Sequence, residues 1–412
     1  MDDPSELTME TIAAAYGEEP FRPGSEVGDV SAPIHLSSTF AVPGVDADFS
    51  LEDLDPDAGE FVYSRLSNPT RHALETRLAA LEGGKHGMAF SSGTSAIFTA
   101  ILSVVEPGDH LVAGADCYSG TRRMLEEVFD ERLDVSVTFV DSRETGAVRE
   151  AMTDRTSFVW METPTNPRMD LCDIAAIAEI AAAHDAVYGV DNTFASPCFQ
   201  RPLELGADLV GHSTTKYLNG HSDSLGGVVI TSDDELAESI RFHQQVGIGN
   251  VLSPFDSYLV LRGLKTLPGR MRAHAETAGA LARFLAAHEL VEAVHYPGLE
   301  SHPQHDLARE QMDGYSGVLS FELAGGIEDA KRFLEALEVC NLAVSLGGVE
   351  TLIEHPATMT HEPLSPEERA ALGISETLIR LSVGLEGLED LRADLERGLE
   401  AVAQSAPVTS DD

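Results

Sequence analysis

Short apolar segments alternate with helical segments through much of the 412-residue chain, and this alternation limits the folds that it can adopt. Parallel neighbouring strands need a long crossover between them, which a helix usually supplies. The pattern therefore predicts an α/β fold with a mostly parallel, seven-stranded sheet and helices on both of its faces. Ligands bind such sheets at the carboxyl ends of the strands. The strand candidates are residues 88–90, 110–113, 135–140, 157–161, 187–190, 209–212 and 227–231.

The chain is too long for one compact core, so more than one domain is predicted. Residues 1–65 contain many Pro, Gly and acidic residues and are predicted to form an extended arm. Residues 66–260 would form the large domain, and residues 261–404 a smaller α/β domain. Residues 405–412 would form a polar tail.

The second domain has its own pattern of elements. A helical stretch over residues 254–288, broken near Pro268, would lead into it. Its predicted strands are residues 317–322, 343–346 and 378–383, and its predicted helices are residues 327–336 and 388–403.

The charge of the chain excludes two classes of partner. With 69 acidic and 27 basic residues, the formal net charge at pH 7 is −42. This charge repels nucleic acids and anionic membrane surfaces, so neither is expected as a partner. Acidic residues occur along the whole length, and we interpret them as a solvated, halophilic-type surface adapted to a salt-rich cytoplasm, where salt screens the self-repulsion.

The cysteines and the apolar runs point to a cytoplasmic protein. The longest apolar run, residues 97–105, is much shorter than the ~18 residues that a membrane helix needs. No CxxC spacing occurs, so reduced thiols are expected instead of a disulfide framework. The cysteines are Cys117, Cys172, Cys198 and Cys340.

Lys216 directly follows an apolar strand candidate, within the segment GHSTTKYLNGHSD at residues 211–223. A lysine amine becomes a nucleophile when its surroundings lower its pKa, and neighbouring hydroxyls can bind a phosphate group. This setting predicts a lysine that forms a Schiff base with pyridoxal 5′-phosphate (PLP). Taken alone, a lysine in such a setting is more often a solvated loop residue, and the neighbouring segments are what favour the cofactor.

Two more segments fit the same cofactor. Ser92, Gly93 and Thr94 open a helix, where free backbone N–H groups and the helix dipole favour a phosphate; plain helix capping is the alternative. Asp191 ends an apolar strand, where its carboxylate can pair with a protonated pyridine nitrogen. Capping of the following turn is the alternative for Asp191.

Candidates for the ring and for the substrate complete the set. Tyr118 follows a strand, so its ring can stack on the cofactor and its hydroxyl can carry protons, although core packing is the commoner fate of a tyrosine. Arg380 lies inside an apolar strand, and Ser345 precedes a Gly-Gly turn. A buried arginine requires a carboxylate, which is either that of a substrate or that of an internal Asp or Glu.

Together these segments resemble the Cys/Met-metabolism PLP enzymes, a family that includes cystathionine γ-synthase, cystathionine γ-lyase and methionine γ-lyase. The resemblance runs in uninterrupted order from about residue 34 to residue 401, and the first thirty residues match poorly. It implies the type I fold of PLP-dependent transferases. The matching segments are residues 63–65, 68–70, 162–167, 190–194, 213–216, 344–348 and 378–384.

The resemblance implies a role for each matched residue. Lys216 would hold PLP covalently and move protons between substrate carbons. Asp191 would bind the pyridine nitrogen, Tyr118 would stack on the ring, and Glu162 would support the ring from nearby. The phosphate would be held by Gly93, Thr94, Ser213 and Thr215, and the substrate by Asn166, Ser345 and Arg380.

The resemblance also implies self-association. Tyr63 and Arg65 would reach the phosphate from the neighbouring subunit, and Tyr63 would join Lys216 and Tyr118 among the catalytic residues. The active site would then be shared within a dimer or within a dimer of dimers, such as a homotetramer.

The residues that would distinguish between substrates point to different members of the family. Cystathionine-handling members commonly carry acidic residues where this chain has Val62 and Val344, and an apolar residue at the second position resembles methionine γ-lyase. Arg123 instead resembles the arginine that meets a distal carboxylate in the synthase and the γ-lyase. We give Arg123 and residues 219–223 more weight, because a positive group selects directly for charge.

The expected reaction is γ-replacement or γ-elimination on a sulfur amino acid or a homoserine ester, most like cystathionine γ-synthase or γ-lyase. Methionine γ-lyase and O-acylhomoserine sulfhydrylase are the near alternatives, and a PLP aminotransferase and a non-catalytic PLP-binding regulator are the distant ones. No metal is expected, because the loop with His295, His302 and His305 lacks the context of a zinc site.

Overall fold

The computed structural model describes residues 3–18, 20, 27–42, 44, 54–362 and 364–404. The predicted tail and, within the predicted arm, residues 1–2, 19, 21–26, 43 and 45–53 lie outside the described residues. The strands are β1 (His86–Phe90), β2 (His110–Gly114), β3 (Ser136–Val140), β4 (Thr156–Glu162), β5 (Val187–Asp191), β6 (Leu209–Ser213), β7 (Gly227–Thr231), β8 (Val291–His295), β9 (Val318–Leu323), β10 (Asn341–Leu342), β11 (Leu352–Glu354) and β12 (Leu378–Ser382).

The helices connect and cover these strands. The α-helices are α1 (Met9–Ala15), α2 (Pro69–Glu82), α3 (Gly93–Leu102), α4 (Ser119–Met124), α5 (Glu131–Leu133), α6 (Thr145–Ala151), α7 (Ile174–Ala182), α8 (Ser196–Phe199), α9 (Asp234–Phe242), α10 (Pro254–Leu264), α11 (Leu267–Ala286), α12 (His305–Gln311), α13 (Ile327–Glu335), α14 (Pro366–Ala371) and α15 (Leu388–Ala403). Two segments with π-helical hydrogen bonding, Leu125–Asp130 and His243–Ile248, extend α4 and α9.

The large sheet has seven strands in the order β1-β7-β6-β5-β4-β2-β3. The pairs from β6 to β3 are parallel, and β7 runs antiparallel to both β6 and β1. The predicted α/β class with a mostly parallel sheet is therefore confirmed.

Alternate residues of a strand pack against opposite layers, as the two-residue period of a strand requires. On β4, Phe158 and Trp160 join the hydrophobic cluster that contains residues of α3, whereas Val159 and Met161 join the cluster that contains residues of α7. Helices thus cover both faces of the large sheet, as predicted.

The second sheet has five strands in the order β10-β11-β12-β9-β8, and all but its first pair are antiparallel. Its apolar face packs with side chains of α11, α13 and α15; among them, the rings of Phe321 and Phe333 lie 5.6 Å apart in a T-shaped contact. This sheet belongs to the predicted second domain, whose boundary at residues 260 and 261 stays a prediction.

One expectation for this part of the chain is wrong. The strand predicted over residues 343–346 does not form, because the β conformation ends at Leu342 and Ser345 has a φ of 92°. The predicted break of the helical stretch near Pro268 is present at residues 265–266, and Pro268 lies in the first turn of α11, where no N–H group is needed. The strands β8 and β11 were not predicted from the sequence, and they are short or partly exposed.

Within the described part of the chain, no helix combines the length and the apolarity that crossing a membrane requires.

Trp160, the only tryptophan of the chain, packs against glycines of two neighbouring strands. A Cβ atom on Gly189 of β5 would lie 2.6 Å from Trp160 Cε3, and one on Gly211 of β6 would lie 2.9 Å from Trp160 Cη2. The glycines therefore leave the space that the indole fills beneath the carboxyl ends of these strands.

We expect Gly189→Ala to lower the free energy of unfolding by about 1–3 kcal/mol, because the added methyl group overpacks a rigid site. Urea unfolding followed by Trp160 fluorescence measures the change. Gly269→Ala is the matched control, because no atom lies within 4 Å of its new Cβ. Equal stabilities of the two variants would contradict this view of the packing.

Candidate active site

A cavity of about 450 Å³ opens at the carboxyl ends of β4, β5 and β6. Glu162, Asp191 and Ser213 are the last residues of these strands, so their side chains meet at one edge of the sheet, as expected for this class of fold. Most of the site residues predicted from the sequence line this cavity. They are Gly93, Thr94, Tyr118, Glu162, Asn166, Asp191, Ser213, Thr215, Lys216, Ser345 and Arg380.

Lys216 lies in the turn after β6, and its amine enters the cavity. Nζ donates a hydrogen bond to Ser345 Oγ over 2.6 Å. Burial and, to a smaller extent, the positive charge of Arg380 together lower the pKa of Lys216 to about 8, although the carboxylate of Glu354 opposes this shift. About a tenth of the amine is therefore uncharged at pH 7, which is a nucleophilic fraction that an ordinary lysine lacks.

Two carboxyl groups face each other at the ends of neighbouring strands, because Glu162 and Asp191 are partners in the register of β4 and β5. Burial raises the pKa of both groups, and the charge of Asp191 raises the pKa of Glu162 well above its usual range. Thr193 donates two hydrogen bonds to Asp191 Oδ1, from its backbone N–H at 3.0 Å and from its hydroxyl at 2.5 Å. We infer that Glu162 holds the proton of the pair and that Asp191 carries the charge.

The opposite side of the cavity is formed by the start of α3. Ser92 caps this helix by accepting a hydrogen bond from the backbone N–H of Ser95 at 3.0 Å. The amides of Gly93 and Thr94 are at the helix terminus, where anions bind. A Cβ on Gly93 would lie 3.0 Å from Ser213 Cβ, so glycine allows the helix start and the end of β6 to approach closely. With the hydroxyls of Ser213 and Thr215, this cradle suits the phosphate of PLP.

Arg380 on β12 is buried and has three protein partners. Its Nη1 contacts Glu354 Oε1 at 2.9 Å and Asn166 Oδ1 at 2.9 Å, and its Nη2 donates to the backbone oxygen of Ser345 at 2.5 Å. The internal ion pair that the sequence left open is therefore present, and the guanidinium also lines the cavity. Glu354 was not predicted as a site residue because strand β11 was not predicted. An acidic residue inside an apolar segment could have indicated it.

Three predicted site residues lie outside this cavity. Tyr63 is 44% exposed, and Arg65 donates a hydrogen bond to the backbone oxygen of Gln245. Arg123 forms an exposed ion pair with Glu127 at 2.9 Å. Arg123 lines an adjoining hollow of about 230 Å³, which shares Tyr118, Ser119 and Asn166 with the main cavity.

The structure also adds residues that the sequence analysis did not single out. Thr193 fixes Asp191, and its Oγ1 accepts a hydrogen bond from the backbone N–H of Ser213 at 2.9 Å. Thr360 lines the cavity and donates to Glu354 Oε1 at 2.9 Å. Thr193 was visible as the second residue after Asp191, a spacing at which an acid is often bonded to the backbone.

Comparison with known proteins agrees with this geometry. Residues 10–400 match the family described as Cys/Met metabolism PLP-dependent enzyme. The chain belongs to this family. A cystathionine beta-lyase of Coxiella burnetii is 48% identical over 381 residues, which cover 92% of this chain and 95% of that protein. A cystathionine gamma-synthase of Mycobacterium bovis is 48% identical over 379 residues, which cover 92% of this chain and 94% of that protein.

A solved structure gives the same result for the fold. Cystathionine gamma synthase from Xanthomonas oryzae pv. oryzae, in complex with aminoacrylate and cysteine, aligns with a TM-score of 0.90 and 41% identity over 97% of this chain and 99% of that chain. The predicted family and cofactor are therefore confirmed: this chain is a PLP-dependent trans-sulfuration enzyme that acts on small amino-acid substrates.

Among the described residues, no group of three or more His, Cys, Asp or Glu side chains could hold a metal ion. Burial lowers the pKa of His302 to about 4, and its Nδ1 accepts a hydrogen bond from the backbone N–H of Gln304.

We expect the amine of Lys216 to become reactive at an unusually low pH. In cofactor-free protein, trinitrobenzenesulfonate should label Lys216 with a midpoint near pH 8, because the amine is protonated and unreactive below that value. The chain has only four lysines, so peptide mapping separates their rates. A midpoint near the ordinary value of ~10.4 would contradict the proposed environment.

Proposed function

We propose that this enzyme catalyses γ-replacement or γ-elimination on a sulfur amino acid or a homoserine ester, most like cystathionine γ-synthase or γ-lyase. The observation that carries the proposal is the chain of contacts from Lys216 through Ser345 to Arg380, in a cavity that also contains Asp191. The cavity thus combines the Lys216 amine, whose pKa is lowered, with the Arg380 cation, which can bind an α-carboxylate. Both lie beside the residues that would bind the cofactor.

The residues of this cavity divide the work. Bound PLP supplies an electron sink for charge that develops on the substrate carbons. Asp191 Oδ1, fixed by Thr193, holds negative charge where the pyridine nitrogen would lie. Arg380 and Asn166 orient the substrate α-carboxylate. Lys216 Nζ, held by Ser345, takes the α-proton.

Loss of a second proton, from the β-carbon, then allows the γ-substituent to leave with its bonding electrons. In γ-replacement, a thiol such as that of cysteine adds at the γ-carbon. In γ-elimination, water completes the release of a keto acid and ammonia. The relatives include a cystathionine gamma-synthase and a cystathionine gamma-lyase as well as a cystathionine beta-lyase, so the reaction has to be measured.

Arg123 supports the preference for a substrate with a distal carboxylate. Its pair with Glu127 is exposed and spans one helical turn, so it contributes only ~0.3–0.5 kcal/mol and can be exchanged for a substrate carboxylate at little cost. Arg123 also lines the hollow that adjoins the main cavity. Val344, which lines the cavity and is 55% exposed, favours the second candidate, a methionine γ-lyase or an O-acylhomoserine sulfhydrylase.

A substrate panel tests the proposed reaction. Purified enzyme loaded with PLP is incubated with cystathionine, methionine or O-acylated homoserine, with and without cysteine. We expect 2-oxobutanoate from elimination or cystathionine from replacement. Pyruvate alone from cystathionine would identify β-elimination, and accumulation of pyridoxamine phosphate would identify an aminotransferase. PLP binding without turnover of any substrate would identify a non-catalytic regulator.

Arg123→Ala is expected to raise KM for cystathionine about tenfold, because a charge-assisted hydrogen bond to the distal carboxylate is lost. KM for methionine should not change, since methionine has no distal charge. Arg132→Ala is the matched control, because Arg132 is also exposed but does not line the hollow. Equal effects on both substrates would contradict the role of Arg123.

We also propose that Tyr63 and Arg65 act in the active site of a neighbouring subunit of a dimer, or of a homotetramer built from such dimers. Both residues are absent from the cavity of their own chain. Arg65 lies beside a segment that exposes Val246 and Ile248. Exposed apolar side chains of this kind are typical of protein contacts.

Mixing two inactive variants tests this sharing. Lys216→Ala and Arg65→Ala, unfolded and refolded together, should recover about a quarter of the wild-type activity, because half of the dimers are mixed and each mixed dimer has one intact site. Each variant refolded alone is the control. No recovery from mixtures that contain mixed dimers would show that Arg65 acts within its own chain.

We further propose a cytoplasmic location and a surface adapted to salt. The four cysteines are free, which suits a reducing compartment. The net charge of −42 suits a medium in which salt screens the repulsion between acidic groups.

A further inference from the structure

Glu354 is a buried carboxylate directly behind the substrate-facing arginine. It is paired with Arg380 in the register of β11 and β12, and its Oε1 contacts Arg380 Nη1 at 2.9 Å. Thr360 donates to the same oxygen at 2.9 Å. Both partners of the ion pair are almost fully buried, so each depends on the other for its charge to be tolerated.

The contacts of Arg380 leave part of its donor capacity unused. A guanidinium has five N–H donors. One hydrogen bond from Nη1 goes to Asn166 and one from Nη2 goes to the backbone oxygen of Ser345, while Nη1 is ion-paired with Glu354; Nε has no hydrogen-bond partner among the described residues. Glu354 and Asn166 therefore fix one end of the guanidinium and leave donors for a further carboxylate.

The same carboxylate acts on the amine of Lys216. Arg380 lowers the pKa of Lys216, and Glu354 raises it. The other ionisable groups near Lys216 or Arg380 are Tyr118, Glu162 and Asp191, which line the cavity, and Tyr217 and His361, which lie near Arg380. Burial lowers the pKa of His361 to about 4, so this histidine is uncharged at neutral pH.

We propose that Glu354 is a positioning residue that fixes the direction of the Arg380 guanidinium and balances its charge, and thereby controls both the binding of the substrate α-carboxylate and the protonation of Lys216 Nζ. The control of substrate binding rests on the proposed function. The control of Lys216 protonation does not, because it concerns residues of this chain alone. Without Glu354, Arg380 would keep a full, uncompensated charge beside the amine.

Glu354→Gln tests the charge, because the amide has the shape of the carboxylate without its charge. In cofactor-free protein, the midpoint for trinitrobenzenesulfonate labelling of Lys216 should fall below about 8, since the carboxylate that favours the protonated amine is lost. Glu354→Asp keeps the charge, so its midpoint should stay near 8. An unchanged midpoint in Glu354→Gln would overturn the electrostatic part of the proposal.

Steady-state kinetics of the PLP-loaded variants tests the positioning. Glu354→Gln should lower KM for the amino-acid substrate about threefold, because Arg380 no longer shares its charge, and should lower kcat, because Lys216 is a weaker base. Glu354→Asp should raise KM, because the shorter side chain draws the guanidinium away from its place. Unchanged KM values in both variants would overturn the positioning role.

Two further variants separate these effects from a loss of stability. Glu18→Gln breaks another buried pair, with Arg77 at 2.6 Å, which lies away from the cavity; it should lower stability and leave the Lys216 midpoint unchanged. Thr360→Val removes only one hydrogen bond from Glu354 and serves if Glu354→Gln does not fold. It should move the midpoint in the same direction by a smaller amount, and no movement would count against the proposal.

The labelling does not depend on turnover. If no substrate of the panel reacts, the proposed function fails, whereas the labelling midpoints still decide whether Glu354 controls the charge of Lys216.

Discussion

The active site depends on the burial of opposite charges at one edge of the large sheet. Asp191, Glu162, Lys216, Arg380 and Glu354 all lie in or beside one cavity of limited volume. Isolated charges there would be costly, so each is balanced by an ion pair, a hydrogen bond or a proton. The lowered pKa of Lys216 and the raised pKa values of the two carboxyl groups are consequences of this shared burial.

The scaffold brings these groups together through two sheets. The parallel strands of the large sheet end at Glu162, Asp191 and Ser213, and the tight packing of Trp160 on two glycines supports them from below. The second sheet delivers Arg380 and Glu354 from neighbouring strands. Ser345 connects the two parts, because its hydroxyl accepts a hydrogen bond from Lys216 and its backbone oxygen accepts one from Arg380. The amine of Lys216 and the guanidinium of Arg380 are therefore connected through one residue.

Exposed charges and charges in the cavity differ in how strongly solvent and salt screen them. The chain carries a formal net charge of −42, and those of its charges that are exposed are screened by solvent and salt. Inside the cavity, screening is weak, so single substitutions such as the loss of Glu354 alter the balance around Lys216. Arg123 is exposed to solvent but lines the hollow next to the cavity, and its ion pair with Glu127 is weak because it is exposed.

Sequence and structure contributed different parts of this picture. The sequence by itself determined the α/β class, the family and the cofactor, because these depend on local periodicity and on motifs such as the one around Lys216, which are contiguous in the chain. It failed where a residue's state depends on a distant partner. The strand expected at residues 343–346 is absent, and the pair of Arg380 with Glu354 required the missed strand β11.

Only the tertiary structure decided which groups share the cavity, and it left Tyr63, Arg65 and Arg123 outside it. It also decided the direction of each pKa shift. The physical reason is that burial and charge pairing act through space between segments far apart in the chain, whereas patterning and motifs act along it.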